Sequence, residues 1–209
     1  MNAIRVAAEA LEIPFLVHFT RTTNLPSIFE HGIVPRDGLA ACQPQASTND
    51  EYRLDNQLGA NCLSIAFPNA LMLWKLRQEN PGTNWAVLIL SPSILWEMPC
   101  AFCPHNAAAN EITSQPIANF QTVGALGNMF SPLPGIDRGA QNLKNYDPTD
   151  VQAEVLVFGV IPPAKIAGGV FQRTPSREQH QHLFEENRTW VHGDRGFFSQ
   201  RWHHRGGVK

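Results

Sequence analysis

Residues 152–158 read Gln-Ala-Glu-Val-Leu-Val-Phe and place one carboxylate, that of Glu154, at the head of an apolar run. Short runs of Val, Leu and Phe are typical of strands buried on both faces, so the sequence predicts a strand over 154–160. A carboxylate beside such a strand is costly unless it is paired or functional. Glu154 is therefore either a functional residue in a cleft or a strand-edge residue that faces water.

Short strands and short helices follow one another along the rest of the chain. Apolar runs predict further strands over residues 15–19, 63–67, 85–90 and 168–171. Apolar positions at helical spacing predict helices over residues 4–12, 25–31 and 69–77. Asn24 is predicted to cap the second of these helices and Gly32 to end it. The pattern indicates an α+β fold in a single domain over 1–209.

Length and composition exclude several classes of protein. With 209 residues, 43% apolar and 16% charged, the chain can bury a core and is not a disordered polyelectrolyte. No apolar run approaches the ~20 residues of a membrane helix, and residues 1–14 do not read as a signal peptide. Four cysteines do not form a disulfide framework, which favours a reduced, cytoplasmic protein.

The charge is unevenly distributed. Residues 161–209 contain eight Lys or Arg and four acids, which gives a net charge of +4. Because the whole chain has a net charge of −2, residues 1–160 have a net charge of −6. Phe and Trp lie between those arginines, a composition typical of a surface that meets phosphates and stacks bases. Alternatively, this basic, aromatic C-terminal part is a solvated lobe with its own core. Residues 111–150, rich in Gly, Pro, Asn and Gln, are predicted to be substrate loops.

Motifs for metals and nucleotides are incomplete or missing. Cys100, Cys103 and His105 could provide soft ligands, but no fourth ligand follows at zinc-site spacing, and we predict no metal site. The chain has neither GxxxxGK[ST] nor GxGxxG, the Gly-rich loops that hold phosphates. His18, at the end of the first predicted strand, is either a satisfied core histidine or a functional residue.

Five sequence blocks together resemble a known family. They are His18-Phe19-Thr20 with Asn24-Leu25 and Gly32, Arg53 in a polar loop, residues 64–69, Asn106-Ala107-Ala108, and the Glu154 strand. The first block resembles the opening of ADP-ribosyltransferases that share the diphtheria-toxin and poly-ADP-ribose-polymerase core. The full order, from residue 14 to about 160, resembles the DarT family of toxins that ADP-ribosylate DNA.

The resemblance implies an ADP-ribosyltransferase-like split β core with flanking helices. It also implies transfer of ADP-ribose from the co-substrate NAD⁺ to a DNA base, most simply thymine, by the toxin of a toxin–antitoxin pair. The partner would be a macrodomain antitoxin, and we expect a monomer. Glu154 would stabilise the ribose cation, while His18, Thr20, Asn24 and Gly32 would bind the cofactor.

Arg53 is assigned by the resemblance to both catalysis and cofactor binding. Because a guanidinium is effectively always protonated, we interpret Arg53 as a charge stabiliser and substrate clamp, with base catalysis left open. The structural alternative is an ion pair with Glu51 or Asp55.

Thymine N3 is hidden by base pairing in a duplex, so the substrate is expected to be single-stranded or flipped out. Phe120, Lys144, Tyr146 and Arg173 are predicted to contact the nucleic acid through aromatic stacking and charge. Two other functions stay open. One is an ADP-ribosyltransferase that acts on guanine, RNA or protein, and the other is a non-catalytic nucleic-acid-binding module.

Overall fold

The fold was examined in a computed structural model, which describes residues 2–41, 57–193 and 196–206. Its strands are β1 Leu16–Arg21, β2 Ala60–Ile65, β3 Trp85–Leu90, β4 Cys100–Cys103, β5 Glu154–Phe158, β6 Ile166–Phe171 and β7 Thr189–Val191. Its helices are α1 Ala3–Ala10, α2 Leu25–His31, α3 Ala70–Glu79, α4 Ile94–Glu97, α5 Asn110–Thr113, α6 Val123–Asn128, α7 Thr174–His180 and α8 Arg201–His204. In the described ranges, no helix is long and apolar enough to cross a membrane.

The strands form one seven-stranded sheet in the order β4-β5-β2-β1-β3-β6-β7. All neighbours are antiparallel except β6 and β7, which are parallel. Between β1 and β2 the register contains only the pairs Leu16–Ile65 and Val17–Ser64. The sheet is therefore split, with three strands on one side of this narrow junction and four on the other. This confirms the predicted α+β fold with a split β core.

Helices cover both faces of the sheet because neighbouring strand residues point to opposite sides. Leu16 belongs to a core cluster with residues of α1, α2 and α6. Val17 belongs to a second cluster with residues of α3 and with Phe197 and Phe198. Burying a side chain of this size stabilises the fold by about 1.5–3 kcal/mol, so the alternation along β1 fixes which helix lies on which face.

The segment around α2 confirms one sequence prediction and corrects another. The helix ends at Gly32 as predicted, with φ of 87°. A Cβ at Gly32 would lie 2.4 Å from the carbonyl oxygen of Ile161, so this close approach requires glycine. Asn24, however, does not cap the helix with its side chain. It ends a 3₁₀ turn over Thr22–Asn24 and already has helical dihedral angles, so its side chain cannot take the capping geometry.

Two strands were not predicted, and one of them contains the Cys-x-x-Cys sequence. Cys100 and Cys103 are the ends of β4 and face different core clusters, as residues three apart on a strand must. Burial raises the pKa of the Cys100 thiol to about 12, which disfavours the thiolate that metals bind. Among the described residues, no group of three or more His, Cys, Asp or Glu is placed to hold a metal ion.

Candidate active site

Glu154 is buried at the start of β5, between β4 and β2. It is 6% exposed, and its Oε2 accepts the backbone N–H of Ala107 at 2.8 Å. Its register partner on β4 is Cys103. The burial rules out the interpretation of Glu154 as a strand-edge residue in water. A hydrogen bond to the carboxylate offsets part of the cost of burying it and fixes where the oxygens point.

The Asn-Ala-Ala sequence shapes the turn that holds this carboxylate. The Asn106 side chain accepts the N–H of Ala108 at 2.9 Å, and its carbonyl accepts the N–H of Ala109. Such a turn is typical of Asn, whose short side chain can bond the backbone two residues on. The turn leaves the N–H of Ala107 directed at Glu154, and Ala107 itself is buried.

His18 lies at the split between the two parts of the sheet. Its Nδ1 is 3.0 Å from the carbonyl oxygen of Cys62 on β2, just beyond the last backbone pair, Val17–Ser64. Because a carbonyl only accepts, Nδ1 carries the proton and Nε2 is the acceptor. Burial lowers the pKa of His18, opposed by the hydrogen bond to Cys62, so the neutral imidazole is favoured.

Thr20 and Asn24 are brought together beside His18. The Asn24 amide donates to Thr20 Oγ1 at 3.1 Å, and both residues are buried. Thr20 follows His18 by two positions on β1, so both side chains leave the same face of the strand. Gly32 lies at the end of α2 against the backbone of Ile161, where Ile33 and Ile161 form an isolated bridge.

The strand that carries His18, β1, and the strand that begins with Glu154, β5, lie on opposite sides of β2. His18 shares a face with Leu16, whereas Glu154 shares a face with Leu156 in a different cluster. Their strands are two spacings apart, or ~10 Å. A ligand that contacts both side chains must therefore lie at the split of the sheet rather than along one flat face.

Arg53 falls within residues 42–56, which lie outside the described residues. The same holds for Glu51 and Asp55, the partners of its predicted structural alternative. The roles predicted for Arg53 therefore stay predictions.

A histidine–carboxylate pair that the sequence did not reveal joins the segment after β4 to the segment before β5. His105 Nδ1 is 2.9 Å from Asp150 Oδ2, and Asp150 Oδ1 accepts the N–H of Gln152. The sequence analysis considered His105 only as a metal ligand. No spacing rule could have found this pair because its members are 45 residues apart in the chain.

The residues predicted to contact nucleic acid differ in their exposure. Phe120 is 7% exposed and packs in a core cluster, so it is not a surface platform for stacking. Tyr146 is half-buried, with the guanidinium carbon of Arg205 5.4 Å from its ring centroid. Lys144 is exposed, with Nζ 3.3 Å from Asn142 Oδ1. Arg173 is exposed at the start of α7.

Arg138 and two C-terminal arginines, Arg201 and Arg205, bind groups of the protein itself, either backbone carbonyls or a buried carboxylate. Arg205 donates to both oxygens of the Asp147 carboxylate at 2.7 and 2.9 Å, and Asp147 is fully buried. Arg201 donates to the carbonyls of residues 148 and 149, and Arg138 donates to those of residues 144 and 147. Burial lowers the pKa of Arg201 to about 10. We call Arg138, Asp147, Arg201 and Arg205 the C-terminal clamp.

The clamp corrects, for Arg201 and Arg205, the prediction that the basic, aromatic C-terminal part meets phosphates and stacks bases. Arg201 and Arg205 are used inside the protein, and Phe197 and Phe198 belong to the core. Net charge located the excess of arginine correctly, but it could not distinguish guanidinium groups that face water from those that bind backbone carbonyls.

The comparisons with known proteins agree with this architecture. The family model described as "ssDNA thymidine ADP-ribosyltransferase, DarT" matches residues 17–191. No curated protein matches the sequence. The structure of Thermus sp. 2.9 DarT in complex with ADP-ribosylated ssDNA is similar, with a TM-score of 0.63 and 15% identity over 88% of this chain and 96% of that chain. Thermus sp. 2.9 DarT in complex with NAD⁺ gives a TM-score of 0.55 and 14% identity over 88% and 97%.

A third structure contains more than the matching region. Thermosipho africanus DarTG in complex with ADP-ribose has a TM-score of 0.59 and 16% identity over 88% of this chain, which spans 50% of that chain. At such identities the structural likeness shows the fold, and the family model adds the family. With the model matching most of its length, this chain belongs to the DarT family and is an NAD-dependent DNA ADP-ribosyltransferase.

Proposed function

We propose that this protein transfers ADP-ribose from NAD⁺ to thymine in single-stranded DNA. The observation that carries the proposal is the buried Glu154 carboxylate, held by the N–H of Ala107 at the start of β5 in a chain of the DarT family. The structures of Thermus DarT with NAD⁺ and with ADP-ribosylated ssDNA support NAD⁺ as co-substrate and single-stranded DNA as acceptor.

The role of Glu154 follows from the bond that breaks. Loss of nicotinamide from NAD⁺ builds positive charge on the ribose, as in glycoside cleavage. A preorganised carboxylate in a site shielded from water stabilises that charge as it develops. The hydrogen bond from Ala107 supports this role because it orients the carboxylate without a proton transfer.

His18, Thr20 and Asn24 are proposed to bind the NAD⁺ ribose or nicotinamide half. The Nε2 of His18 is an acceptor, which suits a ribose hydroxyl as donor. Thr20 and Asn24 form a buried polar pair on the same side of β1. Gly32 is also proposed to bind the cofactor. Its backbone lies close to the Ile161 carbonyl.

Arg53 is proposed to stabilise negative charge on the pyrophosphate and on the attacking base. A guanidinium near a nitrogen that loses its proton lowers the cost of the resulting charge. The resemblance of the polar loop around Arg53 to that of the DarT family supports this role.

The acceptor is proposed to reach the site as an unpaired base. Thymine N3 is available only outside a duplex, since pairing occupies it. Lys144 and Arg173 are exposed cations suited to phosphates, and Tyr146 offers a partly accessible ring. These three residues are the proposed DNA contacts.

The biological setting is proposed from the same family. We infer that the protein is the toxin of a toxin–antitoxin pair, acts as a monomer in the cytoplasm, and is opposed by a macrodomain antitoxin. The Thermosipho africanus DarTG structure, which is in complex with ADP-ribose and of which this chain covers only 50%, supports a further domain as the partner.

A single assay tests acceptor and donor together. The protein is incubated with NAD⁺ and single-stranded oligonucleotides that differ at one base, and mass spectrometry measures a gain of one ADP-ribose. We expect the gain only when thymine is present. Gain on guanine alone would overturn thymine as acceptor. No gain on any oligonucleotide, with DNA binding intact, would support a non-catalytic binding module.

A further inference from the structure

His105 and Asp150 form a pair that the proposed NAD⁺ chemistry does not use. His105 lies two residues beyond β4, and its side chain is 33% exposed. The Asp150 side chain is 16% exposed and is fixed by the N–H of Gln152 at 2.8 Å. A carboxylate fixed at one oxygen by the backbone holds the imidazole on the other oxygen in one orientation.

The hydrogen bond determines which ring nitrogen is available. Because the Asp150 carboxylate only accepts, Nδ1 of His105 carries the proton in this contact. The neutral ring then presents Nε2 as a lone-pair acceptor. No described residue bonds to Nε2, which leaves it able to take a proton from a molecule in the site.

The two members of the pair lie in the segment that follows β4 and in the segment that leads into β5, the strand that begins with Glu154. Cys103 is the register partner of Glu154, His105 follows two residues later, and the N–H of Ala107 then reaches the Glu154 carboxylate. Asp150 precedes Glu154 by four residues on the other segment. The imidazole is therefore anchored between the same two backbone segments as the catalytic carboxylate.

The proposed reaction requires a proton acceptor. Thymine N3 carries a proton, and a guanidinium is a poor acceptor for it because it is already protonated at neutral pH. Imidazole is the side chain best suited to accept a proton near neutral pH. We propose that His105, oriented by Asp150, is the general base that removes the N3 proton of the acceptor base.

The step balances in atoms and charge and rests on the proposed acceptor. The N3–H bond breaks, and its proton goes to Nε2 of His105. The N3 electron pair forms the bond to the ribose carbon. The bond from that carbon to nicotinamide breaks, and its electron pair neutralises the nicotinamide ring. The products are ADP-ribosylated thymine, neutral nicotinamide and an imidazolium that returns its proton to water.

The test separates acceptor deprotonation from NAD⁺ cleavage. His105→Gln removes the base, and Asp150→Asn disturbs the orientation of the ring. Nicotinamide release without DNA and ADP-ribose transfer to a thymine oligonucleotide are measured side by side. We expect transfer kcat to fall ~10²–10⁴-fold in His105→Gln, whereas nicotinamide release and the KM for NAD⁺ stay within ~3-fold. His31→Gln, at another histidine beside a carboxylate (Glu30), is the matched control and should change neither rate.

A second substrate supplies a rescue test. An oligonucleotide with 5-fluorouracil in place of thymine has a more acidic N3–H because fluorine withdraws electrons. The transfer rate of His105→Gln should rise at least tenfold on this substrate compared with the thymine oligonucleotide. It should rise similarly at alkaline pH, where the acceptor ionises without a base. Asp150→Asn should show the same pattern more weakly.

The outcomes distinguish this inference from the proposed function. If nicotinamide release and transfer fall together in His105→Gln, or if the acidic acceptor gives no recovery, the pair only supports the local structure and the inference is wrong. Unchanged transfer would also overturn it. Failure of the unaltered protein to modify thymine would instead overturn the proposed function. If His105→Gln melts below the assay temperature, Asp150→Asn decides by the same criteria.

Discussion

Two buried carboxylates lie seven residues apart and are treated differently by the fold. Asp147 is fully buried, and Arg205 meets both of its oxygens. Glu154 is also buried, and the neutral N–H of Ala107 orients one of its oxygens. The first contact joins the C-terminal end of helix α8 to the loop before β5, and the second orients a carboxylate at the start of β5.

We predict a structural role for the Asp147 carboxylate and a catalytic role for the Glu154 carboxylate. A bidentate guanidinium contact gives geometric specificity and neutralises a buried acid, which makes it suitable for holding two segments together. The N–H of Ala107 orients one Glu154 oxygen at the start of β5, where we predict that the carboxylate acts on a substrate cation. The comparison predicts that changes at Glu154 affect rate, whereas changes in the C-terminal clamp affect stability.

The largest effect is expected from Glu154→Gln. The amide keeps an acceptor for the N–H of Ala107 but loses the charge that stabilises the ribose cation. Transfer and nicotinamide release should both fall by ~10²–10³-fold or more, with the melting temperature nearly unchanged. Steady-state assays and thermal denaturation measure the two quantities. Glu111→Gln, at an exposed acid on α5, is the control.

Asp147→Asn should show the opposite behaviour. Removing this charge leaves Arg205 and the buried Arg201 without their acid, which should cost about 3 kcal/mol of unfolding free energy. For a chain of this length, the melting temperature should fall by ~6–12 °C. Nicotinamide release at a permissive temperature should be largely retained. An unchanged melting temperature would show that the clamp does not stabilise the fold.

Gly32→Ala tests whether a residue predicted to bind the cofactor contributes to activity or to stability. A Cβ would lie 2.4 Å from the Ile161 carbonyl, and the positive φ disfavours any side chain. We expect a loss of about 1–3 kcal/mol in unfolding free energy. Gly82→Ala, with no heavy atom within 4 Å of the added Cβ, is the matched control. A rise in KM for NAD⁺ without loss of stability would assign Gly32 to binding.

Acid should lower the stability of the folded protein through His192 and His204 in its C-terminal part. Burial lowers the pKa of His192 and of His204, and for His204 the charges of Arg205 and His192 lower it further while Asp147 opposes them. The unfolded chain therefore binds more protons in acid. Stability that is present above about pH 6.5 should be lost as pH falls through the folded-state pKa values.

Melting temperatures measured across this pH range check the sign of that effect. His204→Gln should flatten the decrease, because one of the shifted groups is removed. The exposed His203→Gln on the same helix is the control. A decrease that is equally steep in both variants would assign the pH dependence to other groups.

The smallest effect is expected at Arg173, an exposed cation outside the clamp. Arg173→Gln should weaken binding of single-stranded DNA and reduce the salt dependence of log K by ~1, since one phosphate contact is lost. Its melting temperature should stay unchanged. Binding titrations at several salt concentrations measure this slope, and an unchanged slope would place the phosphates elsewhere.

The sequence predicted five of the seven strands that the structure describes, and the position of Glu154 at the start of one of them, because these depend on local pattern. Trp85–Leu90 matches its prediction residue for residue, and Glu154 begins its strand as expected. Continuous apolar runs must be buried, whatever the rest of the fold does, whereas a carboxylate at the head of one is either functional or faces water.

Only the tertiary structure determined the partners of the charged side chains. It placed Arg205 on Asp147, Asp150 on His105 and the N–H of Ala107 on Glu154, contacts that span between 45 and 58 residues of chain. No periodicity encodes such contacts, because they depend on which loops the sheet brings together. Two arginines with identical side chains can thus face water or bind a buried acid. The free energy of desolvating each guanidinium in the folded state decides which environment it takes.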